Sequence, residues 1–131
     1  MTTHADPERP SAMTRFLLAI QQPDDPTSAE AQRPDDETLA AIMRDVEQVR
    51  SDMAAAGVWV FSGGLESVTS ATVVRTRGDA VLVTDGPYAE GREHIGGLTI
   101  LDCAGPDEAR HWAGRLARAV HPLPVEVRPF R

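Results

Sequence analysis

The chain has 131 residues, 41% of them apolar, and a formal net charge of −7: enough apolar matter for one hydrophobic core but not two, and a charge that repels phosphate backbones overall. Aromatic residues are confined to Phe16, Trp59, Phe61, Tyr88, Trp112 and Phe130, too few for a stacking platform on single-stranded nucleic acid, so no nucleic-acid partner is expected. The lone Cys103 excludes an intramolecular disulfide and a zinc site built on thiolates, and no apolar run approaches the roughly 18 residues of a membrane helix, so no membrane partner and a cytoplasmic location are expected.

Met1 to Ala12 carries Thr, His, Asp, Pro, Glu and Arg without an apolar core. This is not a secretion signal. Residues 1–13 read as a disordered extension ahead of one domain spanning 14–131, and Met13 could serve as an alternative start. Phe16-Leu17-Leu18-Ala19-Ile20 is an apolar run of strand length, closed by Gln21-Gln22 and Pro23. A strand apolar on both sides needs cover on both faces. Residues 21–36 then read as an exposed acidic loop broken by Pro23, Pro26 and Pro34.

Asp35 or Asp36 can cap a helix whose stripe is Leu39, Ile42, Met43, Val46, Val49 and Met53. Gly57 suits its left-handed end. Val58-Trp59-Val60-Phe61 reads as a short strand broken by Ser62-Gly63-Gly64. Residues 72–77 and 80–84 form two strands around a Gly78-Asp79 turn. Residues 85–95 read as a loop with a helical turn near Tyr88 to Glu93, followed by a strand over 98–103. Pro106, Asp107 and Glu108 suit the start of a second helix, with the stripe Ala109, Trp112, Ala113, Leu116, Ala117 and Val120. Val125 to Arg128 alternates as a last strand, and Pro129 suits a sheet edge.

This order gives an α+β domain on the ferredoxin-like plan, βαββαβ with an inserted hairpin. Two helices cover one sheet face. The other face, which carries half of the apolar first strand, is expected to pack on a second copy across a two-fold axis.

The ordered set Val83-Thr84-Asp85-Gly86-Pro87-Tyr88-Ala89-Glu90, Gly96-Gly97-Leu98, Asp107-Glu108-Ala109 and Val125-Glu126-Val127-Arg128-Pro129 resembles the DGPF-domain branch of the YCII-related proteins. Tyr88 stands where that branch carries Phe. The resemblance covers about residues 14–131. It implies a ferredoxin-like domain that pairs into a dimeric α+β barrel in cytoplasmic bacterial proteins, some of them enzymes with a His and an Asp in a pocket. It also implies association with a sigma factor of the extracytoplasmic-function type. The chain departs from that pattern in having no His between residues 37 and 56 and in its Pro-rich acidic loop.

Three residues are the candidate catalytic groups. Asp85 sits at a strand end on a turn held by Gly86 and Pro87, a placement that suits a general base as well as a plain turn cap. His94 lies nine residues on and carries an imidazole, a side chain suited to proton exchange. Tyr88 can donate a hydrogen bond into a pocket or pack its ring on the sheet. Gly96-Gly97 lacks a phosphate-loop context and reads as a bulge. His4, His111 and His121 share no metal-ligand spacing, and Cys103 reads as a buried, inert thiol. No cofactor motif is visible, so none is expected. Two readings stay open: a cofactor-independent isomerase, lyase or hydrolase acting on a small molecule, or a non-catalytic ligand sensor or protein-interaction module.

Overall fold

Two antiparallel strands, β1 (Thr14–Pro23) and β5 (Glu93–Cys103), form the spine of the domain. A computed structural model describes residues 13–23, 34–88 and 93–131. Helix α1 (Asp36–Ala55) follows β1, then β2 (Trp59–Gly64), a 3-10 turn at Val68–Ser70, β3 (Thr72–Arg77) and β4 (Ala80–Asp85). Helix α2 (Pro106–Ala119) and β6 (Val125–Pro129) follow β5. The main sheet has the order β2-β5-β1-β6, antiparallel throughout, while β3 and β4 pair only with each other. Two helices and an antiparallel sheet in this order make an α+β fold compatible with the ferredoxin-like plan. Among the described residues no helix is long and apolar enough to cross a membrane.

Local chemistry explains the element ends. Asp35 caps α1, its carboxylate accepting from the Thr38 amide at 2.7 Å. At the other end Gly57 takes φ +77°, its amide donates to Ala54 and the Val58 amide donates to Met53. This is a Schellman closure, and the accompanying contact joins buried Val58 to buried Met53. Pro106 opens α2, and Glu108 reaches back to accept from the Ala104 amide at 2.8 Å. Gly78 takes φ +61° in the hairpin turn between β3 and β4.

Three boundaries differ from the sequence expectation. β1 runs through Gln21-Gln22 to Pro23 rather than stopping at Ile20. Pro23 is tolerated because β6 pairs with β1 only as far as Ile20, so the missing donor falls on an open edge. Ser62-Gly63-Gly64 continues β2 instead of breaking it, because β5 supplies a partner for each of the three. Most consequentially, β5 starts at Glu93, so His94 lies in a strand opposite Gln22 and not in a loop. The register of β1 and β5 slips by one residue at Gly96, a bulge of the kind the double glycine suggests. The readings of residues 1–12 as an extension, of residues 24–33 as an acidic loop and of residues 89–92 as a helical turn lie outside the described residues.

Register assigns the faces. Phe16, Leu18 and Ile20 of β1 stand opposite Leu101, Thr99 and Gly97 of β5, and this face meets the helices. Val49 and Met53 of α1 and Ala109, Trp112, Ala113 and Leu116 of α2 close the core over it. Arg115 of α2 ties the helices together through Asp52 at 2.6 Å. The opposite face presents Leu17, Ala19, Leu98 and Ile100, with Phe61 54% exposed beside them. Across it Arg15 grips Asp102 through two hydrogen bonds of 2.8 and 2.9 Å.

Leu101 is fully buried at the centre of this core, so Leu101→Ala is expected to cost about 3 kcal/mol in urea unfolding, the usual toll of a buried cavity. The Arg115 hydrogen bond, and then that of Gln48, hold the Asp52 carboxyl below the usual carboxylate range. A depressed folded pKa adds stability above the unfolded value of about 4 and loses it as pH falls through the folded value. Asp52→Asn should therefore lower the melting temperature at pH 7, and the gap to the parent should close on acidification; a gap independent of pH would contradict this role.

Candidate functional site: a cavity between the first helix and a glycine floor

The helix-facing side chains of the sheet shrink toward one end. Along β5 they run Leu101, Thr99, Gly97, and along β2 they run Trp59, Ser62, Gly64. Gly64 and Gly97 stand directly opposite each other, so the sheet there is bare backbone. The stripe of α1 continues over this bare patch. Val49 and Met53 are buried, but Leu39, Ile42 and Val46 are only half-buried and Met43 is 60% exposed. An apolar helix face held over a floor without side chains leaves a hollow.

That hollow is a cavity of about 800 Å³, within the size range of small-molecule sites. Leu39, Ile42, Met43 and Val46 form one wall, Ile20, Gly64, Gly97 and Thr99 the other, and Val49, Met53 and Leu116 extend the lining into the core. Gln22, Pro23, Pro34 and the segment from His121 to Leu123 complete it. A side chain at Gly64 would meet nothing within 4 Å, so the space above that glycine is open. Six polar side chains join the apolar walls among the described residues: Gln22, Thr38, Arg50, Ser62, Thr99 and His121. The Arg50 guanidinium lies 5.2 Å over the Trp59 ring and is held by Glu47. The Trp59 indole donates to Ser62 Oγ at 3.1 Å. A second hollow, between the outer faces of α1 and α2, is lined by Asp45, Gln48, Arg110, His111, Arg115 and Arg118 and is open and polar.

The three residues singled out from sequence lie elsewhere. Asp85 is exposed at the end of β4, opposite Thr72. The turn beneath it is tight: the Gly86 amide donates to the Ala71 carbonyl at 2.8 Å, and any Cβ at Gly86 would come within 2.9 Å of the Ala71 side chain. The glycine of the Asp-Gly-Pro turn thus closes the hairpin base against Ala71, through a cis Gly86–Pro87 peptide. Tyr88 is 75% exposed, with the Arg75 guanidinium 5.4 Å over its ring. His94 is half-buried in β5. None of the three lines the cavity. Cys103 is fully buried, its thiol directed at the Gly105 carbonyl, and burial pushes its pKa up, which keeps it protonated and unreactive. Trp112 is core, as its place on the helix stripe implies.

Sequence reasoning missed the cavity residues. Two signals existed: the glycine pairs 63–64 and 96–97, and an α1 stripe longer than the bulky sheet residues could cover. Neither says that Gly64 faces Gly97, which is a matter of register between strands some thirty positions apart.

Comparison with known proteins agrees with this architecture. The model of the YCII-related domain matches residues 16–131. An uncharacterised protein of Rhizobium meliloti (strain 1021) is 35% identical over 91 residues, covering 68% of this chain and 73% of its own length. With the family model spanning nearly the whole sheet-and-helix domain, the chain belongs to the YCII-related domain family.

Proposed function

We propose that this protein binds a small, largely apolar organic molecule in the cavity beneath α1, and that it does so as a homodimer. One observation carries the binding reading: a helix stripe and a glycine floor border a hollow of about 800 Å³ lined mainly by aliphatic side chains, with Gln22, Thr38, Arg50, Ser62, Thr99 and His121 as its polar members. Of the two functions open from sequence, the ligand-sensor reading gains support from this geometry. A catalytic role centred on Asp85, with His94 or Tyr88, draws no such support within a single chain, because these residues stand apart from the cavity. The cavity walls carry no carboxylate among the described residues, and His121 is the one imidazole among them. A sigma factor remains a candidate receiver of the ligand signal by family resemblance.

The dimer reading rests on the open sheet face. Leu17, Leu98 and Ile100 are only half-covered there, and Phe61 is exposed at its edge. The two-fold pairing of such faces is the commonest way to bury them. The β3–β4 ribbon adds Val74, Val81 and Val83, each more than 60% exposed on one face of the hairpin. A lone two-stranded ribbon is marginal in water, and a neighbouring copy would stabilise it.

Gly64→Leu tests the cavity by filling it. The parent chain should bind the neutral fluorescent probe N-phenyl-1-naphthylamine at one saturable site per chain, and the variant should bind about tenfold or more weakly without losing melting temperature; unchanged probe affinity in a folded variant refutes the site. Leu17→Asp tests the assembly. Sedimentation equilibrium should give a dimer for the parent and a folded monomer for the variant, and a parent that sediments as a monomer at micromolar concentration refutes the pairing.

A further inference from the structure

We infer that the cavity selects an apolar molecule ending in an anionic, hydrogen-bond-accepting group of the carboxylate class, with that end held at Arg50, Ser62 and Thr99. This rests on the cavity reading above and adds the ligand's chemistry to it. The chain holds 20 acidic residues against 13 basic ones, yet no Asp or Glu is among the described residues lining the cavity, and Arg50 is the fixed cation among them. A guanidinium set beside an apolar hollow, and oriented by Glu47 from outside the lining, disfavours a cationic guest and favours an anionic one.

The polar groups present donors. Glu47 engages Arg50 through Nε and Nη2, and the guanidinium carbon lies 5.2 Å from the centre of the Trp59 ring. The fork is thereby fixed in orientation, with Nη1 outside those two bonds. Glu47 itself is 63% exposed at its side chain and is not part of the lining, so it orients the arginine from the solvent side. Ser62 Oγ already accepts the Trp59 indole N–H. A hydroxyl carries one donor and two acceptor sites, so the Ser62 proton is left to donate. Thr99, 6% exposed, is the buried polar residue of the sheet face and shares the cavity wall with Ser62, its partner across the strands. An alkyl or aryl body would lie along Leu39, Ile42 and Val46, leaving the acceptor end at these donors.

Isothermal titration calorimetry of the full chain at pH 7 with octanoate, 1-octanol and octylamine tests this. Octanoate should bind about tenfold or more tightly than 1-octanol, the scale of one hydrogen bond to a charged group, and octylamine should bind most weakly. Arg50→Met, which keeps the apolar stem, should bring octanoate down to the level of 1-octanol and leave 1-octanol unchanged. Should that variant fold poorly, Ser62→Ala reads the same ratio and should narrow it. If octylamine or 1-octanol binds as tightly as octanoate, or if Arg50→Met preserves the preference, the head-group inference is overturned; Gly64→Leu still abolishing all three would leave the cavity reading intact. If none of the three binds the parent chain, the cavity reading fails and takes this inference with it.

Discussion

The domain depends on a mismatch between a helix and the sheet beneath it. The apolar stripe of α1 runs the length of the helix, but the sheet offers it bulky partners over only half that distance. Where Leu101, Leu18 and Met53 meet, packing is dense and solvent is excluded completely. Where Gly64 faces Gly97, the helix has nothing to interdigitate with. Protein interiors do not tolerate such gaps without cost, since the lining loses its contact partners. A half-open apolar hollow beside a well-packed core is therefore a candidate site for a guest molecule, and it lies apart from the most conspicuous turn of the sequence.

The same tapering keeps the helix in position over the void. The Schellman closure at Gly57 and the Arg115–Asp52 pair anchor the C-terminal half of α1 to β2 and α2, while the Asp35 cap completes its N-terminal turn. The packed end fixes the position of the open end. Glycine serves two distinct purposes in this arrangement. Gly64 leaves space, whereas Gly86 permits contact, letting the backbone approach Ala71 where a side chain would collide. The Asp-Gly-Pro turn that dominates the sequence lies, in the fold, at the base of a two-stranded ribbon separate from the main sheet.

The opposite sheet face follows different rules. It mixes apolar β1 and β5 positions with the clamped Arg15–Asp102 pair and the polar outward residues Glu126 and Arg128 of β6. That composition resembles a moderately apolar protein surface suited to association more than a domain core. Helix-side cavity and open sheet face therefore lie on opposite sides of the sheet, the first proposed to hold a small molecule and the second to pair with a neighbouring chain.

The type of each described element, and many of the element ends, were legible in the chain's local chemistry. Asp35, Gly57, Pro106 and Gly78 act through local hydrogen bonds and local φ values, so their effects are readable within a few residues. The period of the α2 stripe named most of its buried face, Ala109, Trp112, Ala113 and Leu116, whereas Ala119 is buried in place of the expected Ala117. Tertiary structure alone decided the rest. The continuation of β1 to Pro23 and of β5 back to Glu93 depends on each strand lending the other its hydrogen-bonding edge, so His94 moved from an imagined loop into a strand. The cavity depends on which glycine meets which across β2 and β5. Polarity and periodicity describe a residue's own element, whereas empty space is a property of two surfaces brought together, and only the folded register brings them together.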